Sequence, residues 1–193
     1  ERDKILALPI PIPPLPIQQE IVRILDSMTE LTAELTAELT ARKKQYEYYR
    51  NKLLNFNDLN GGGYKYLTMS ELGGLIRGNG LPKSDFTECG VPAIHYGQIY
   101  TYYGTSTRRT LSFVSKETAK KLRKVNYGDV VITNTSENIE DVGKAVVYLG
   151  EEEAVTGGHA TIFKPSKVIT GKFFTYFTKT YYRSYIKGFW GFG

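Results

Sequence analysis

The apolar positions of the chain follow three patterns in succession. Residues 5–12 are mostly apolar, and helical spacing of apolar side chains then runs from about residues 17–19 to residue 54. From residue 64 onward, short apolar runs alternate with stretches rich in glycine and asparagine. This order predicts an extended arm, one helix of roughly 37 residues that spans about 55 Å, and a mixed domain.

The first apolar segment is interrupted by proline, which donates no hydrogen bond to a β ladder. The segment therefore predicts an edge strand or an extended, polyproline-like arm, and not a central strand. The prolines are Pro9, Pro11, Pro13, Pro14 and Pro16.

The predicted helix carries one continuous apolar face, which predicts an interface with a second helix or with another subunit. Because the leucines of LTAELTAELT recur every four residues, each step advances about 40° and the face rotates slowly around the helix. A helix this long cannot bury itself in a small domain, so it is expected to act as a spacer or a pairing device. The face consists of Ile21, Ile24, Leu25, Met28, Leu31, Leu35, Leu39, Tyr46, Tyr49 and Leu53.

The fold class expected from these patterns is α+β, with one globular mixed α/β domain and a long spacer helix that pairs as an antiparallel coiled coil. The predicted boundaries are 1–17 for the arm, 18–56 for the helix, 57–63 for a hinge and 64–193 for the domain. Strands are predicted at 64–67, 93–99, 129–133, 144–149 and 159–163. Shorter helices are predicted at 115–124, capped by Ser115, and at about 172–187.

Composition limits the possible classes of function. The formal charge is +5 and the sequence pI is about 9.1, which is compatible with a polyanionic partner. Cys89 is the only cysteine, so the chain has no internal disulfide and no zinc site built from several cysteines. Without a candidate membrane span or signal peptide, a cytoplasmic location is expected. Since the chain begins at Glu1, we expect a fragment or a processed product.

The stretch from His95 to Arg109 mixes amide, aromatic and cationic side chains in one loop-rich region, as a DNA-reading surface does. Gln98 offers the paired donor and acceptor that suit adenine, and Arg108 or Arg109 suits guanine. Tyrosine hydroxyls bind phosphates, although such rings also pack in domain cores. The candidates here are His95, Tyr96, Gln98, Tyr100, Tyr102, Tyr103, Thr105, Thr107, Arg108 and Arg109.

Further DNA-binding candidates lie elsewhere in the domain. Asn134, Ser136 and Asn138 follow an apolar strand, where short polar side chains also favour simple turns. His159 follows two glycines that suit either a phosphate or a tight turn. Arg77, Lys83 and Lys116 are candidate phosphate contacts that are equally typical of solvated loops.

No arrangement of residues in the sequence predicts catalysis or a resident cofactor. Cys89 and His95 lie six residues apart without an evident orienting carboxylate, so a nucleophilic pair is not expected. His95 and His159 lack a third ligand at suitable spacing, so no metal site is expected.

The chain resembles a type I restriction-modification specificity subunit. The helix segments that carry this resemblance are IPIPPLPIQQEIVRIL, the TAEL repeats and RKKQYEYYRNKLLNF. RGNGLPKSDF, GVPAIHYGQIYTYYGT, GDVVITNTSENIEDVGKAVVYLG and GGHATIFKP resemble a target recognition domain of that family. Ile17 stands where the family usually has an acidic residue.

The resemblance implies a non-catalytic subunit that reads one half of a divided DNA sequence per recognition domain. It also implies partners: modification subunits that methylate adenine with S-adenosylmethionine, and a restriction subunit. Such subunits usually contain two recognition domains and two helices, whereas this sequence contains one of each. We therefore expect a half-subunit, a permuted version or a truncated piece, and a homodimer with a palindromic target in the first case.

Two other interpretations remain open at this stage. The chain is alternatively a coiled-coil module whose globular part binds another protein, or an enzyme with an unrecognised site in the tyrosine-rich loop. A steep loss of binding with salt distinguishes DNA contacts from protein contacts.

Overall fold

The fold is described from a computed structural model. The structure describes residues 4, 6–56, 64–134 and 142–180. The chain divides into two compact units, Glu1–Lys52 and Leu53–Gly193. The expectation of a long helix followed by a mixed α/β domain is confirmed. The predicted hinge at 57–63 lies outside the described residues.

The first unit consists mainly of helix α1, Leu15–Leu53, which has 39 residues and is therefore about 58 Å long. It begins slightly earlier than predicted, because Pro16 occupies the first turn, where a missing N–H costs nothing. The Pro14 carbonyl accepts hydrogen bonds from the Ile17 and Gln18 N–H groups at 2.9 and 3.1 Å. Residues 8–14 before it form neither helix nor strand, and Leu8, Ile10 and Ile12 are exposed.

Threonines within α1 are accommodated by bonding to their own helix. Thr29, Thr32, Thr36 and Thr40 each donate their hydroxyl to the carbonyl four residues earlier, at 2.7–2.8 Å. A threonine that satisfies its hydroxyl in this way can stay in a helix interior. The TAEL repeats therefore continue the helix without a break.

The second unit contains two five-stranded sheets within the described residues. One sheet has the order β1-β10-β7-β8-β4, and the other has the order β2-β5-β3-β9-β6. The strands are β1 Gly73–Arg77, β2 Phe86–Thr87, β3 Val91–Ile94, β4 Ser106–Thr107, β5 Ser112–Val114, β6 Arg123–Val125, β7 Val130–Thr133, β8 Ala145–Tyr148, β9 Ala154–Thr156 and β10 Ala160–Pro165. The helices are α2 Met69–Leu72, α3 Tyr96–Thr101, α4 Lys116–Lys121 and α5 Gly171–Phe177, with a 3₁₀ turn at Lys83–Asp85.

The core has three layers of apolar contact. Ile94, Val131 and Ile162 belong to a cluster between the two sheets. On the outer face of the first sheet, Val130 and Phe163 pack with Phe174 of α5. On the outer face of the second sheet, a cluster that includes Ala93, Val114 and Val155 packs with Ala119 of α4. Strands β7, β8 and β9 are buried on both faces, which explains their continuous apolar runs.

Several predicted elements differ from the structure. Residues 64–67 form no strand, and the strand near this point is β1, whose glycines lower its intrinsic strand propensity. The predicted strand at 93–99 ends at Ile94 and is followed by α3. The predicted helix at 115–124 stops at Lys121, where β6 begins two residues later. Helix α5 ends at Phe177, and residues 181–187 of its predicted extent lie outside the described residues.

An ion pair joins β10 to the residue that precedes β7. Lys164 Nζ lies 2.5 Å from Asp129 Oδ2, and the Asp129 side chain is 9% exposed. Lys164→Met is expected to lower the free energy of unfolding by about 2–3 kcal/mol, because among the described residues it leaves the Asp129 carboxylate with the Asn126 N–H as its one remaining partner. Urea denaturation of the two proteins measures this difference.

A second strand lysine provides the control. Lys124 Nζ lies 3.0 Å from Glu153 Oε1, but both side chains are 40% or more exposed. Lys124→Met should therefore change the free energy of unfolding by less than about 1 kcal/mol. Equal losses of unfolding free energy in the two variants would show that burial of Asp129 does not matter.

The described helices include none with the length and apolar character needed to cross a membrane.

Candidate nucleic-acid interface

The strand directions bring several candidate residues to one edge of the domain. In the first sheet, β1 and β7 run in the same direction and β10 runs against both, so the ends of β1 and β7 lie beside the start of β10. In the second sheet, β3 and β9 are parallel and end together. The bridge between Asn79 and Gly157 joins the two sets of strand ends. We call this edge the strand-end surface.

The strand-end surface contains eight residues. Four of them lie at strand ends: Arg77 is the last residue of β1, Asn79 lies two residues after it, Asn134 directly follows β7 and His95 directly follows β3. His159 precedes β10, Lys83 lies in the 3₁₀ turn, and Tyr96 and Tyr100 lie on α3. The loops that bear them are joined by backbone hydrogen bonds from Gly78 N–H to Ala160 O and from Asn134 N–H to His159 O, both 2.9 Å. Arg77, Asn79, Lys83 and His159 are exposed.

Two glycines allow the loops of this surface to touch. A Cβ on Gly78 would lie 2.0 Å from the Gly157 carbonyl oxygen, and a Cβ on Gly157 would lie 2.6 Å from the Leu81 Cβ. Only glycine permits backbones to approach so closely. The structure thus gives Gly157 a packing role in the contact between the two loops.

Aromatic rings form a row across the strand-end surface. Tyr96 lies at its centre, with ring centroids 4.4 Å from His95, 4.8 Å from His159 and 6.1 Å from Tyr100. His95 also meets Phe86 edge-on at 5.4 Å. His95 is buried, Tyr96 and Tyr100 are half-buried, and His159 is exposed. The exposed His159 and the half-buried Tyr96 and Tyr100 leave part of this row accessible to a ligand.

His95 caps α3. Its Nδ1 accepts a hydrogen bond from the Gly97 N–H at 3.2 Å. Burial lowers the pKa of His95, and the charges of Lys83 and His159 lower it further. A neutral imidazole is what this cap requires, because a protonated Nδ1 cannot accept. His95 therefore holds the helix start in place.

Asn134 contributes a side-chain oxygen to this surface that lacks a hydrogen-bond partner among the described residues. This atom, Oδ1, is buried. A buried amide oxygen left without a donor costs free energy, and such atoms in native proteins call for an explanation. Ser136 and Asn138, which the sequence grouped with Asn134, lie outside the described residues.

Arg108 and Arg109 lie at the opposite end of the sheets. They follow β4, which runs parallel to β8 with Thr107 beside Tyr148, whereas the strand-end surface lies beyond the start of β8. Both arginines border a groove that also contains Tyr127, Glu151 and Glu152. The two arginines therefore lie apart from His95 and Tyr96. The chain crosses the domain between these positions.

The remaining candidates are scattered or internal. Tyr103 is buried in the core between the sheets, and Gln98 is half-buried with both ends of its amide hydrogen-bonded inside the domain. Thr105 accepts a hydrogen bond from Lys179 Nζ at 2.8 Å, and Thr107 bonds to the Arg109 backbone. Tyr102 and Lys116 are exposed on the domain surface.

Sequence reasoning missed Asn79. Its side-chain amide donates to the Lys121 carbonyl, which connects the loop after β1 to the end of α4. The only sequence signal was its position between Gly78 and Gly80, which indicates a backbone that approaches another closely. No close group of three His, Cys, Asp or Glu residues that would suit a metal ion occurs in the described parts of the chain.

Helix α1 presents a second candidate surface. The structure buries none of its residues, so the apolar face from Ile21 to Leu53 is exposed along the whole helix. Its charges are segregated: residues 15–39 carry five acidic side chains and one basic, and residues 40–53 carry five basic and one acidic. Four of these charges form two local pairs, Arg23 with Glu20 and Arg42 with Glu38, and both pairs are exposed.

Comparison with known proteins gives one family. The model of the type I restriction modification DNA specificity domain matches residues 2–42. A protein from Haemophilus influenzae named as a type I restriction enzyme specificity subunit is 34% identical over 77% of this chain and 38% of its own length. A type I restriction enzyme specificity subunit from Escherichia coli is 50% identical over 42% of this chain and 20% of its own length.

Solved structures show the same fold. The HsdS subunit from Thermoanaerobacter tengcongensis superposes with a TM-score of 0.53 and 19% identity, over 92% of this chain and 44% of that one. The S subunit of a type I system from M. genitalium gives a TM-score of 0.54 and 17% identity, over 89% of this chain and 43% of that one. The chain thus spans less than half the length of these relatives.

Proposed function

We propose that this chain, which belongs to the family of type I restriction-modification specificity subunits, is a non-catalytic subunit that reads one half of a divided DNA sequence through its strand-end surface. The observation that carries the proposal is the convergence of Arg77, Lys83, Tyr96, Asn134 and His159 at one edge of the two sheets. Sequence-specific binding needs cations for phosphates and hydrogen-bonding groups for base edges, and this edge offers both.

The residues of the strand-end surface divide by the contact that each one suits. Arg77 and Lys83 are exposed cations and suit phosphates. Asn134 directly follows β7 at this edge, and a side-chain amide pairs with adenine N6 and N7. Tyr96 and Tyr100 suit the sugar-phosphate backbone through their hydroxyls. Ser136 and Asn138 remain candidates on sequence alone.

The helix is proposed to pair with a second copy of the chain in antiparallel orientation. Its exposed apolar face needs a partner, and its acidic half complements the basic half of a copy that runs in the opposite direction. A parallel pair would place like charges side by side. An antiparallel pair has two-fold symmetry, so each copy contributes the same surface.

In this arrangement the chain acts as a half-subunit, and two copies supply two recognition domains. The modification subunits, which carry the methyltransferase chemistry and bind S-adenosylmethionine, and the restriction subunit are proposed to assemble on the dimer in the cytoplasm. This chain contributes recognition and spacing, and the catalytic groups belong to its partners.

Selection of duplexes from a random pool tests the proposal. Two-fold symmetry in the protein predicts a palindromic consensus of two specified blocks separated by unspecified base pairs. Fluorescence anisotropy with the selected duplex should show affinity that falls steeply as salt rises, because phosphate contacts release counterions. The assay needs neither a methyltransferase nor a divalent metal ion.

The outcome also separates the alternative functions. A wild-type chain without duplex binding that still self-associates would indicate a coiled-coil protein-interaction module. A consensus with a single uninterrupted block would contradict reading by two separated domains. Cleavage or modification of the duplex by the purified chain alone would contradict a non-catalytic subunit.

A further inference from the structure

Gln98 occupies a hydrogen-bonded position inside the domain beneath the strand-end surface. It is the third residue of α3, and its Nε2 donates to Ser112 Oγ of β5 at 2.6 Å. Its Oε1 accepts from Tyr103 Oη at 3.3 Å and from the His95 N–H at 3.5 Å. Both ends of the amide are therefore engaged with protein groups.

Tyr103 extends this set of bonds to the loop before β5. Its hydroxyl accepts from the Leu111 N–H at 2.9 Å while it donates to Gln98. Burial raises the pKa of Tyr103, so its hydroxyl keeps the proton that it donates. The ring itself lies in the core between the two sheets. Tyr103, Gln98 and Ser112 thus connect α3 to strand β5 and to the loop before it.

These contacts determine how α3 is rotated about its axis. A helix of six residues is too short to be stable alone, so its orientation depends on the groups that hold it. Ile99 anchors one side in the core, and Gln98 anchors the neighbouring side through its amide. Tyr96 and Tyr100, one turn apart, are then presented together at the strand-end surface.

We infer that Gln98 is a positioning residue that does not itself contact a base: through Ser112 and Tyr103 it orients α3, so that the contacts of Tyr96 and Tyr100 with the DNA backbone hold the register in which the strand-end surface reads bases. This inference rests on the proposed function of the strand-end surface. It differs from direct reading by Gln98, which would require the amide to leave its three internal partners and pair with adenine.

Two substitutions separate positioning from direct reading. Gln98→Met keeps the length of the side chain and removes its hydrogen bonds. Gln98→Glu keeps oxygen atoms that accept from Tyr103, from the His95 N–H and, after rotation of its hydroxyl, from Ser112. A carboxylate that contacted a base would instead select cytosine through its N4 amino group.

The measurement is the ratio of affinities for the duplex selected by the wild-type chain and for a scrambled duplex, at one salt concentration. Gln98→Met should lower this ratio by about tenfold, with the affinity for the scrambled duplex and the salt dependence unchanged. Gln98→Glu should recover most of the ratio with the same bases preferred. Gln19→Met, an exposed glutamine on α1, is the matched control and should have no effect.

A second measurement tests the orientation without DNA. In a chain labelled with fluorotyrosine, Gln98→Met should shift or broaden the ¹⁹F signals of Tyr96 and Tyr100, assigned by Tyr→Phe variants, and leave that of exposed Tyr127 unchanged. Thermal melting confirms that each variant is folded.

Three results would overturn the inference: unchanged ¹⁹F signals at Tyr96 and Tyr100 in Gln98→Met, an unchanged affinity ratio in the same variant, or a new preferred base in Gln98→Glu. A wild-type chain without any sequence preference would overturn the proposed function, and with it the effect on preference. The fluorotyrosine spectra would then still decide whether Gln98 orients α3.

Discussion

Leu35→Lys is expected to weaken self-association of the chain by about a hundredfold or more, because a lysine ammonium would enter the apolar face of α1 in both copies. Leu35 is 59% exposed in the single chain, so the substitution should leave the helix itself intact. Sedimentation equilibrium over a range of protein concentrations measures the dissociation constant. Circular dichroism confirms that helix content is kept.

Ala33→Lys is the matched control for this experiment. Ala33 lies two residues away, which places it about 200° around the helix from Leu35. The added charge is the same, but it points away from the proposed pairing face. If Ala33→Lys weakened association as much as Leu35→Lys, charge alone would be responsible. A wild-type chain that stays monomeric at micromolar concentration would remove the pairing proposal altogether.

Arg77→Glu combined with Lys83→Glu is expected to reduce affinity for any duplex by about a hundredfold near 0.1 M salt, since two phosphate contacts become two repulsions. The slope of log affinity against log salt should fall by about two, because each lost phosphate contact removes about one unit. Anisotropy titrations at several salt concentrations measure both quantities.

Arg108→Glu combined with Arg109→Glu makes the same change of charge at the opposite end of the sheets. These positions lie beside Glu151 and Glu152, which disfavour a polyanion. The double variant should therefore keep the wild-type salt dependence. A larger loss here than at Arg77 and Lys83 would place the DNA at the groove of Arg108 and Arg109, and would overturn the proposed interface.

The sequence predicted the long helix and the buried strands well, because these elements depend on local patterns. From Ile21 to Leu53, leucine and isoleucine recur at helical spacing with few helix-breaking residues between them. Strands β7, β8 and β10 correspond to short apolar runs. The predicted strand at 93–99 was wrong beyond Ile94, because the spacing of Ile94, Tyr96 and Ile99 does not distinguish the repeat of a strand from that of a helix. The cap formed by His95, with Gln98 three residues later, decides for a helix.

The location of the candidate site was predicted only in part. Asn134 and His159 were identified as residues that follow strands or glycines, and the sheet topology places them together. The sequence did not reveal that Tyr96 and Arg108 lie far apart, because the eleven residues between them cross the domain through α3 and β4. The role of Gln98 was also hidden, since only the fold places Ser112 and Tyr103 within its reach. Long-range pairing, and not local propensity, decides these positions.

If α1 pairs as proposed, the unequal distribution of charge along the helix makes the direction of pairing depend on ionic strength. Near physiological salt the Debye length is about 8 Å, so facing acidic and basic stretches still sense each other, whereas at 1 M salt it falls to about 3 Å. At high salt the preference for head-to-tail (antiparallel) over head-to-head (parallel) pairing of the helices would then be weaker, since apolar contact by itself has no direction. Dialysis to low salt before DNA titrations would restore a single orientation.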